Sequence, residues 1–77
     1  MTKKLYREEE LGALAKQFRE AAKKTKEQAA AEVGVRRPSV QLAEENPEES
    51  LFKLRKRLIE RYSPYKVSGP FYLLKKK

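Results

Sequence analysis

The stretch from residue 25 to residue 46, TKEQAAAEVGVRRPSVQLAEEN, constrains the fold most, because it predicts two short helices joined by a tight turn. Thr25 can cap the first helix, and Gln28, three residues later, completes a capping box. Gly34 can end that helix because it adopts the left-handed backbone conformation at little cost. Pro38 suits the first turn of the next helix, where its missing N–H has no helical partner to lose.

The spacing of small and apolar residues in this stretch indicates how the two helices meet. Ala30 is small where the helices must cross closely, Gly34 follows four residues later, and Val40 follows six residues after the glycine. This spacing is typical of a helix-turn-helix motif. A helical hairpin in a small bundle would give the same short pattern, so both interpretations stay open at this point.

Composition excludes several kinds of site. The chain has 77 residues, enough for one small domain, and it contains neither cysteine nor histidine. It therefore lacks the residues of a disulfide or thiolate metal site and the commonest general base. Since every acidic residue is a glutamate and no convergent catalytic group is visible, we expect no enzyme activity, no metal and no cofactor.

The distribution of apolar residues predicts a soluble cytoplasmic protein. Residues 1–10 are strongly charged and lack the apolar centre of a signal peptide. No segment approaches the roughly 20 consecutive apolar residues of a membrane span. We therefore expect no membrane partner.

The net charge of +8 is concentrated near the C-terminus. Residues 1–50 contain ten Lys and Arg and ten Glu, whereas residues 51–77 contain nine Lys and Arg and a single acid, Glu60. A polyanionic partner is the natural inference from such an imbalance. The alternative is that the lysines only keep a small protein in solution.

Two further helices are predicted on either side of the central pair. Apolar residues recur every three or four positions in residues 5–25 and include Leu11, Leu14 and Phe18, which predicts an amphipathic helix. Asn46 as a cap and Pro47 in the first turn predict a helix over residues 46–62, with Glu49 completing a capping box. Its apolar stripe includes Leu51, Leu54 and Leu58.

Arg55 lies close to the apolar stripe of this last helix. We expect its guanidinium to bind a carboxylate or a backbone carbonyl, or its aliphatic stem to carry the charge outward. Lys53, Lys56 and Arg57 fall on the opposite face and form a cationic strip.

The C-terminal segment contains apolar and aromatic residues that need a partner. Ser63 and Pro64 end the preceding helix, and Gly69 and Pro70 predict a break. Residues 71–74 can fold back over the helices or pair with the same segment of a second chain. Residues 75–77, all lysine, are predicted to form a disordered tail. The second arrangement would give a homodimer through this segment, which would add stability to a chain that is short enough to be marginally stable alone.

With these residues placed, residues 11–58 resemble the helix-turn-helix domain of lambda-repressor/Cro-type (XRE-like) transcription regulators. The resemblance rests on six positions whose mutual spacing matches the family pattern without a gap: Gly12, Arg19, Thr25, Ala30, Gly34 and Glu44. It implies an all-α domain of four or five helices, which we assign to residues 1–62. Residues 63–77 lie outside the resemblance and are predicted to form a short extended C-terminal segment with a basic tail.

The resemblance also implies roles for individual residues. Arg19 and Glu44 match a structural ion pair between the first helix and the recognition helix. The recognition helix is expected to contact DNA bases through five residues: Arg36, Arg37, Ser39, Gln41 and Leu42. Both arginines could instead contact only phosphate. Lys26 matches a backbone-contacting position of the family. The positive charge of the chain adds five further expected phosphate contacts: Lys23, Lys24, Lys53, Lys56 and Arg57.

Three positions depart from the family pattern. Pro38 and Leu42 stand at groove-facing positions, and Asn46–Pro47 stands where a glycine often ends the recognition helix. The expected function is sequence-specific binding of double-stranded DNA by a small repressor or antitoxin-like regulator. One alternative is a protein-interaction module that uses Leu42 with residues 71–74.

A second alternative is RNA binding through the basic C-terminal region. Tyr65, Phe71 and Tyr72 would then stack on unpaired bases, as aromatic side chains do in many RNA-binding domains.

Overall fold

The chain folds into four helices and a two-stranded hairpin within the part that the computed structural model describes, residues 6–46, 48–68 and 73–76. The elements, in chain order, are α1 (Glu8–Ala21), α2 (Lys26–Val33), α3 (Arg37–Glu45), α4 (Phe52–Tyr62), β1 (Tyr65–Ser68) and β2 (Leu73–Lys76). The prediction of a mostly helical chain with a short extended C-terminal segment is confirmed.

Local signals define the turn between α2 and α3 as predicted. The hydroxyl of Thr25 accepts a hydrogen bond from the backbone N–H of Gln28, whose side chain accepts one from the N–H of Thr25. Gly34 ends α2 with φ of 77°, the left-handed conformation that suits glycine. Pro38 lies in the first turn of α3. All three predictions are confirmed.

The first helix is shorter than the predicted residues 5–25. It ends at Ala21, and Lys23 follows with a positive φ of 60°. Arg19 donates a hydrogen bond from Nη1 to the carbonyl of Lys24 at 2.7 Å, and the N–H of Lys24 donates to the carbonyl of Arg19. These hydrogen bonds stabilise a tight turn after α1. The spacing of apolar residues, from which the helix was predicted, could not predict this turn.

The predicted helix over residues 46–62 is wrong at its beginning and right at its end. Asn46 ends α3, where its N–H donates to the carbonyl of Leu42, and α4 begins only at Phe52. Arg55 explains the difference, because its guanidinium binds the carbonyls of Asn46 and Glu49 and holds residues 48–51 as a non-helical connection. The other predicted cap residue, Pro47, lies outside the described residues.

The core lies between α1, α3 and α4 and is covered by α2 and β1. Leu11, Val40 and Leu58 are fully buried, as predicted. Three predicted core residues are only half-buried and pack against the edge of the core: Leu14, Phe18 and Leu51. The core also contains Ala43 and Ile59, which lie on the apolar faces of their helices, and Val67 of β1, which was not predicted.

Gly12 allows α1 to approach the C-terminal half of α3 very closely. A β-carbon added at Gly12 would lie 2.6 Å from the carbonyl oxygen of Ala43 and 3.0 Å from that of Glu44. Both atoms belong to the backbone, which cannot move aside as a flexible side chain could.

We predict that Gly12→Ala destabilises the protein, although alanine favours helices by about 1 kcal/mol over glycine. The clash with α3 should outweigh that gain and give a net loss of about 1–3 kcal/mol. Chemical denaturation measures the change in the free energy of unfolding. The control is Ala13→Gly at the exposed neighbouring position, which measures the difference in helix propensity between alanine and glycine without the contact to α3. Higher stability for Gly12→Ala would contradict the close contact.

The C-terminal segment folds back on its own chain. β1 and β2 pair antiparallel, with Val67 opposite Leu74, so Leu73 and Leu74 have a partner strand within the same molecule. Val67 is buried, and its N–H donates to a carboxylate oxygen of Glu60 on α4 at 2.9 Å. The prediction of a disordered tail is wrong for Lys75 and Lys76, because both belong to β2. Phe71, Tyr72 and Lys77 lie outside the described residues.

Candidate nucleic-acid interface

One face of α3 is directed into solvent and carries most of the predicted base-contacting residues. Arg37, Gln41 and Leu42 are exposed along it, and Arg36 is exposed at its N-cap. The opposite face contains the buried residues Val40, Ala43 and Glu44. This segregation leaves a short helix that presents an arginine pair, an amide and a leucine at its surface. Ser39 is half-buried at the edge of the face.

A buried ion pair fixes the orientation of α3 on α1. Arg19 donates from Nε to Oε2 of Glu44 at 2.7 Å and from Nη2 to Oε1 at 3.0 Å. The two residues are only 5% and 6% exposed, and the hydrogen bonds to Glu44 raise the pKa of Arg19. A two-point contact resists rotation of α3 about its own axis, so it determines which residues face solvent.

A second ion pair joins the ends of α2 and α3. The ammonium of Lys26, at the start of α2, contacts the carboxylate of Glu45, at the end of α3. Lys26 lowers the pKa of Glu45 through this hydrogen bond. Lys26 thus lies beside the exposed face of α3. Its ammonium was predicted to contact phosphate, but in the structure it is paired with the carboxylate of Glu45.

Lys24 belongs to a cluster centred on Glu32 in α2. The carboxylate of Glu32 contacts the ammonium of Lys24 at 3.0 Å and Nε of Arg61 at 3.0 Å, and it accepts a hydrogen bond from the Tyr62 hydroxyl. These donors lower the pKa of Glu32 to about 2, while burial and the carboxylate raise the pKa of Tyr62 to about 12. The cluster ties α2 to the end of α4.

We predict that this cluster makes stability depend on pH in the acid range. The Glu32 carboxylate has a pKa of 4.5 when unfolded and about 2 when folded, so its stabilising effect is complete above pH 4.5 and is lost as pH falls toward 2. Thermal melts across this range should show a decline that is smaller in Glu32→Gln. Glu27→Gln changes an exposed acid on the same helix and serves as the control. Identical acid profiles for Glu32→Gln and the wild type would contradict the effect.

The cationic strip on α4 divides into two parts. Lys53 and Arg57 are exposed and line a groove together with Ser39 of α3, so they share a surface with the predicted base-contacting helix. The ammonium of Lys56 instead lies 3.7 Å from a carboxylate oxygen of Glu60 on the same helix. Lys23, also predicted to contact phosphate, is exposed in the turn after α1.

Arg55 positions the connection between α3 and α4 and is fully buried. Its guanidinium donates to three backbone carbonyls, those of Ala43 at 2.8 Å, Glu49 at 2.8 Å and Asn46 at 2.6 Å. The expectation that it would find a backbone carbonyl is confirmed. The sequence indicated this role only through the position of Arg55 beside the apolar stripe, which did not show which carbonyls Arg55 would bind.

One of the aromatic residues proposed for stacking on RNA bases is used in packing. Tyr65 is half-buried, and its ring lies 6.0 Å from that of Phe18, tilted by 39°. Phe71 and Tyr72 are outside the described residues. The ring of Tyr65 therefore joins the hairpin to α1.

Comparisons with known proteins leave the family unassigned. The chain matches no protein-family model, no curated protein and no solved structure. Among the helices of the described ranges, none has both the length and the apolar character needed to cross a membrane.

Proposed function

We propose that this chain is a lambda-repressor/Cro-like helix-turn-helix domain that binds double-stranded DNA as a small transcription regulator, with α3 in the major groove. The observation that carries the proposal is the exposed face of α3, which the buried Arg19–Glu44 pair holds toward solvent with Arg36, Arg37 and Gln41 on it. Arginine binds guanine O6 and N7 with its two-pronged guanidinium, and glutamine binds adenine in a similar way.

The surroundings of α3 support a duplex partner. Lys26 lies at the N-terminus of α2, where backbone N–H groups and the helix dipole also favour phosphate. Lys53 and Arg57 extend the positive surface on the other side, next to Ser39. A homodimer would place two copies of α3 about one DNA turn apart. A cytoplasmic location would suit this role.

The test is a comparison of matched and scrambled duplexes, once a preferred sequence has been selected from a random pool. We predict that Arg37→Ala weakens binding to the matched duplex by about 1–3 kcal/mol and affects the scrambled duplex much less. Fluorescence anisotropy measures both affinities. An equal loss on the two duplexes would make Arg37 a phosphate contact only, and no binding by the wild type would overturn the proposal.

Glu45→Gln provides a matched variant with the opposite expected sign. The neutral side chain releases Lys26 and removes a negative charge beside the DNA, so affinity should rise on both duplexes, most strongly at low salt. Glu48→Gln removes the same charge from an exposed residue of the connection between α3 and α4, outside the residues assigned to the DNA surface, and controls for net charge alone.

A protein partner is the second candidate function. Leu42 favours it, because this leucine is 40% exposed at the centre of the exposed α3 face. Binding of a protein through this surface would persist at high salt and weaken in Leu42→Ser. DNA binding would instead weaken by about 0.9 log unit per phosphate contact for each tenfold rise in salt.

A further inference from the structure

A groove lies between the start of α3 and the start of α4. Its volume is about 650 Å³, within the range of roughly 300–1,000 Å³ that small-molecule sites occupy. We call it the α3–α4 groove. Its apolar walls come from the α2–α3 turn and from residues around the start of α4: Val35, Leu51, Phe52 and Leu54.

The polar residues of the α3–α4 groove give it a positive character. Lys53 and Arg57, one helical turn apart on α4, both line it, and Ser39 and Ser50 add two hydroxyl groups. In the described part of the chain, neither cation has an ion pair, whereas Lys56 and Arg61 on the same helix contact Glu60 and Glu32. The groove therefore offers two uncompensated cations next to an apolar surface.

The start of α4 adds to the preference for a negative group. Leu51 occupies the N-cap position, where its side chain cannot accept a hydrogen bond from the N–H groups of the first turn. The positive end of an 11-residue helix thus has no side-chain cap. A carboxylate could contact this helix end while the guanidinium of Arg57 binds it through two parallel hydrogen bonds.

We propose that the α3–α4 groove binds a small organic acid that has a carboxylate attached to an apolar body, and that this ligand competes with DNA. The carboxylate would contact Lys53 and Arg57, and the apolar body would lie against Leu51 and Leu54. Competition is expected because Ser39, Lys53 and Arg57 also belong to the proposed DNA surface. The competition rests on the proposed function, whereas ligand binding does not.

An NMR titration of the full chain with 4-phenylbutyrate tests the site directly. Concentrations up to about 10 mM cover the affinity that a few contacts provide. Amide shifts should concentrate at Ser39 and residues 50–54. 4-Phenylbutanol lacks the charge and butyrate lacks the ring, so each should bind at least about tenfold more weakly. Equal binding of the alcohol, or no shifts at these amides, would overturn the site.

Charge variants separate the groove from general attraction to a basic protein. Arg57→Gln should weaken 4-phenylbutyrate binding by about tenfold, whereas Lys66→Gln removes the same charge from an exposed residue of β1 and should leave the affinity unchanged. Both positions are exposed, and the melting temperature of each variant verifies its fold. Equal loss in the two variants would overturn the site.

Two further measurements define the ligand class and its effect. A short peptide with a C-terminal phenylalanine carries the same chemistry, and tight binding of the peptide without binding of 4-phenylbutyrate would overturn a small-molecule ligand.

Addition of 4-phenylbutyrate to the complex of the protein with duplex DNA should release the DNA, whereas an equal concentration of sodium chloride should not. Retention of DNA by a ligand-saturated protein would overturn the competition. If DNA never binds, the proposed function fails, and the titration without DNA decides the ligand site alone.

Discussion

Replacing Arg19 by alanine is expected to destabilise the protein by about 3–5 kcal/mol, because it leaves the carboxylate of Glu44 buried without its cation. The change also removes the hydrogen bond to the carbonyl of Lys24 that ends α1. In a domain of this size, 1 kcal/mol corresponds to roughly 4–8 °C, so the melting temperature should fall by at least about 12 °C. Circular dichroism melts measure the effect.

Two variants distinguish the buried pair from a simple loss of charge. Arg36→Ala removes an exposed arginine and should change stability by less than about 0.5 kcal/mol. The double variant Arg19→Met with Glu44→Leu removes both charges and should recover much of the loss, because no buried charge remains unpaired. An Arg19→Ala melt close to that of the wild type would contradict the structural role of the pair.

Replacing Arg55 by methionine should destabilise the protein by about 2–4 kcal/mol. Methionine fills most of the same space, but it donates no hydrogen bonds to the carbonyls of Ala43, Asn46 and Glu49. The carbonyl of Ala43 suffers most, since its hydrogen bond is buried, whereas the other two lie nearer to solvent and can bind water. Denaturant titration gives the free energy of unfolding.

Hydrogen exchange locates the effect of Arg55→Met. Amides of Asn46 and residues 48–51 should exchange faster than in the wild type, because Arg55 holds this connection. Arg57→Met removes an exposed guanidinium two residues later on the same helix and is the control, with stability expected to stay unchanged. Unchanged stability in Arg55→Met would mean that the three carbonyls need no donor from this side chain.

The parts of the fold that depend on neighbouring residues could be predicted from the sequence. Thr25 and Gln28 lie three residues apart and cap each other, and Gly34 needs only its own backbone freedom to end α2. By contrast, Asn46 and Glu49 have the spacing of a capping box, yet their carbonyls bind Arg55, which follows nine and six residues later. A local pattern cannot show that a distant side chain will compete for the same backbone groups.

The candidate site was predictable to a similar degree. The exposure of Arg37, Gln41 and Leu42 follows from the helical period, since Val40 and Ala43 must face the core. The contacts of the charged residues did not follow, because Lys26 meets Glu45 and Lys24 meets Glu32 only after the helices have packed. The α3–α4 groove likewise depends on the starting point of α4, whose N-cap lies five residues after the predicted cap, Asn46.

Duplex DNA is the partner that we propose for the exposed face of α3. The most direct test of this proposal is an NMR titration of isotope-labelled protein with a random-sequence duplex at about 50 mM salt, repeated at about 200 mM, because phosphate contacts weaken steeply over this range. Amide shifts should concentrate at Lys26 and residues 36–42 and should diminish at the higher salt. Shifts confined to residues 53–77 would contradict the proposal and would mean that only the basic C-terminal region contacts nucleic acid.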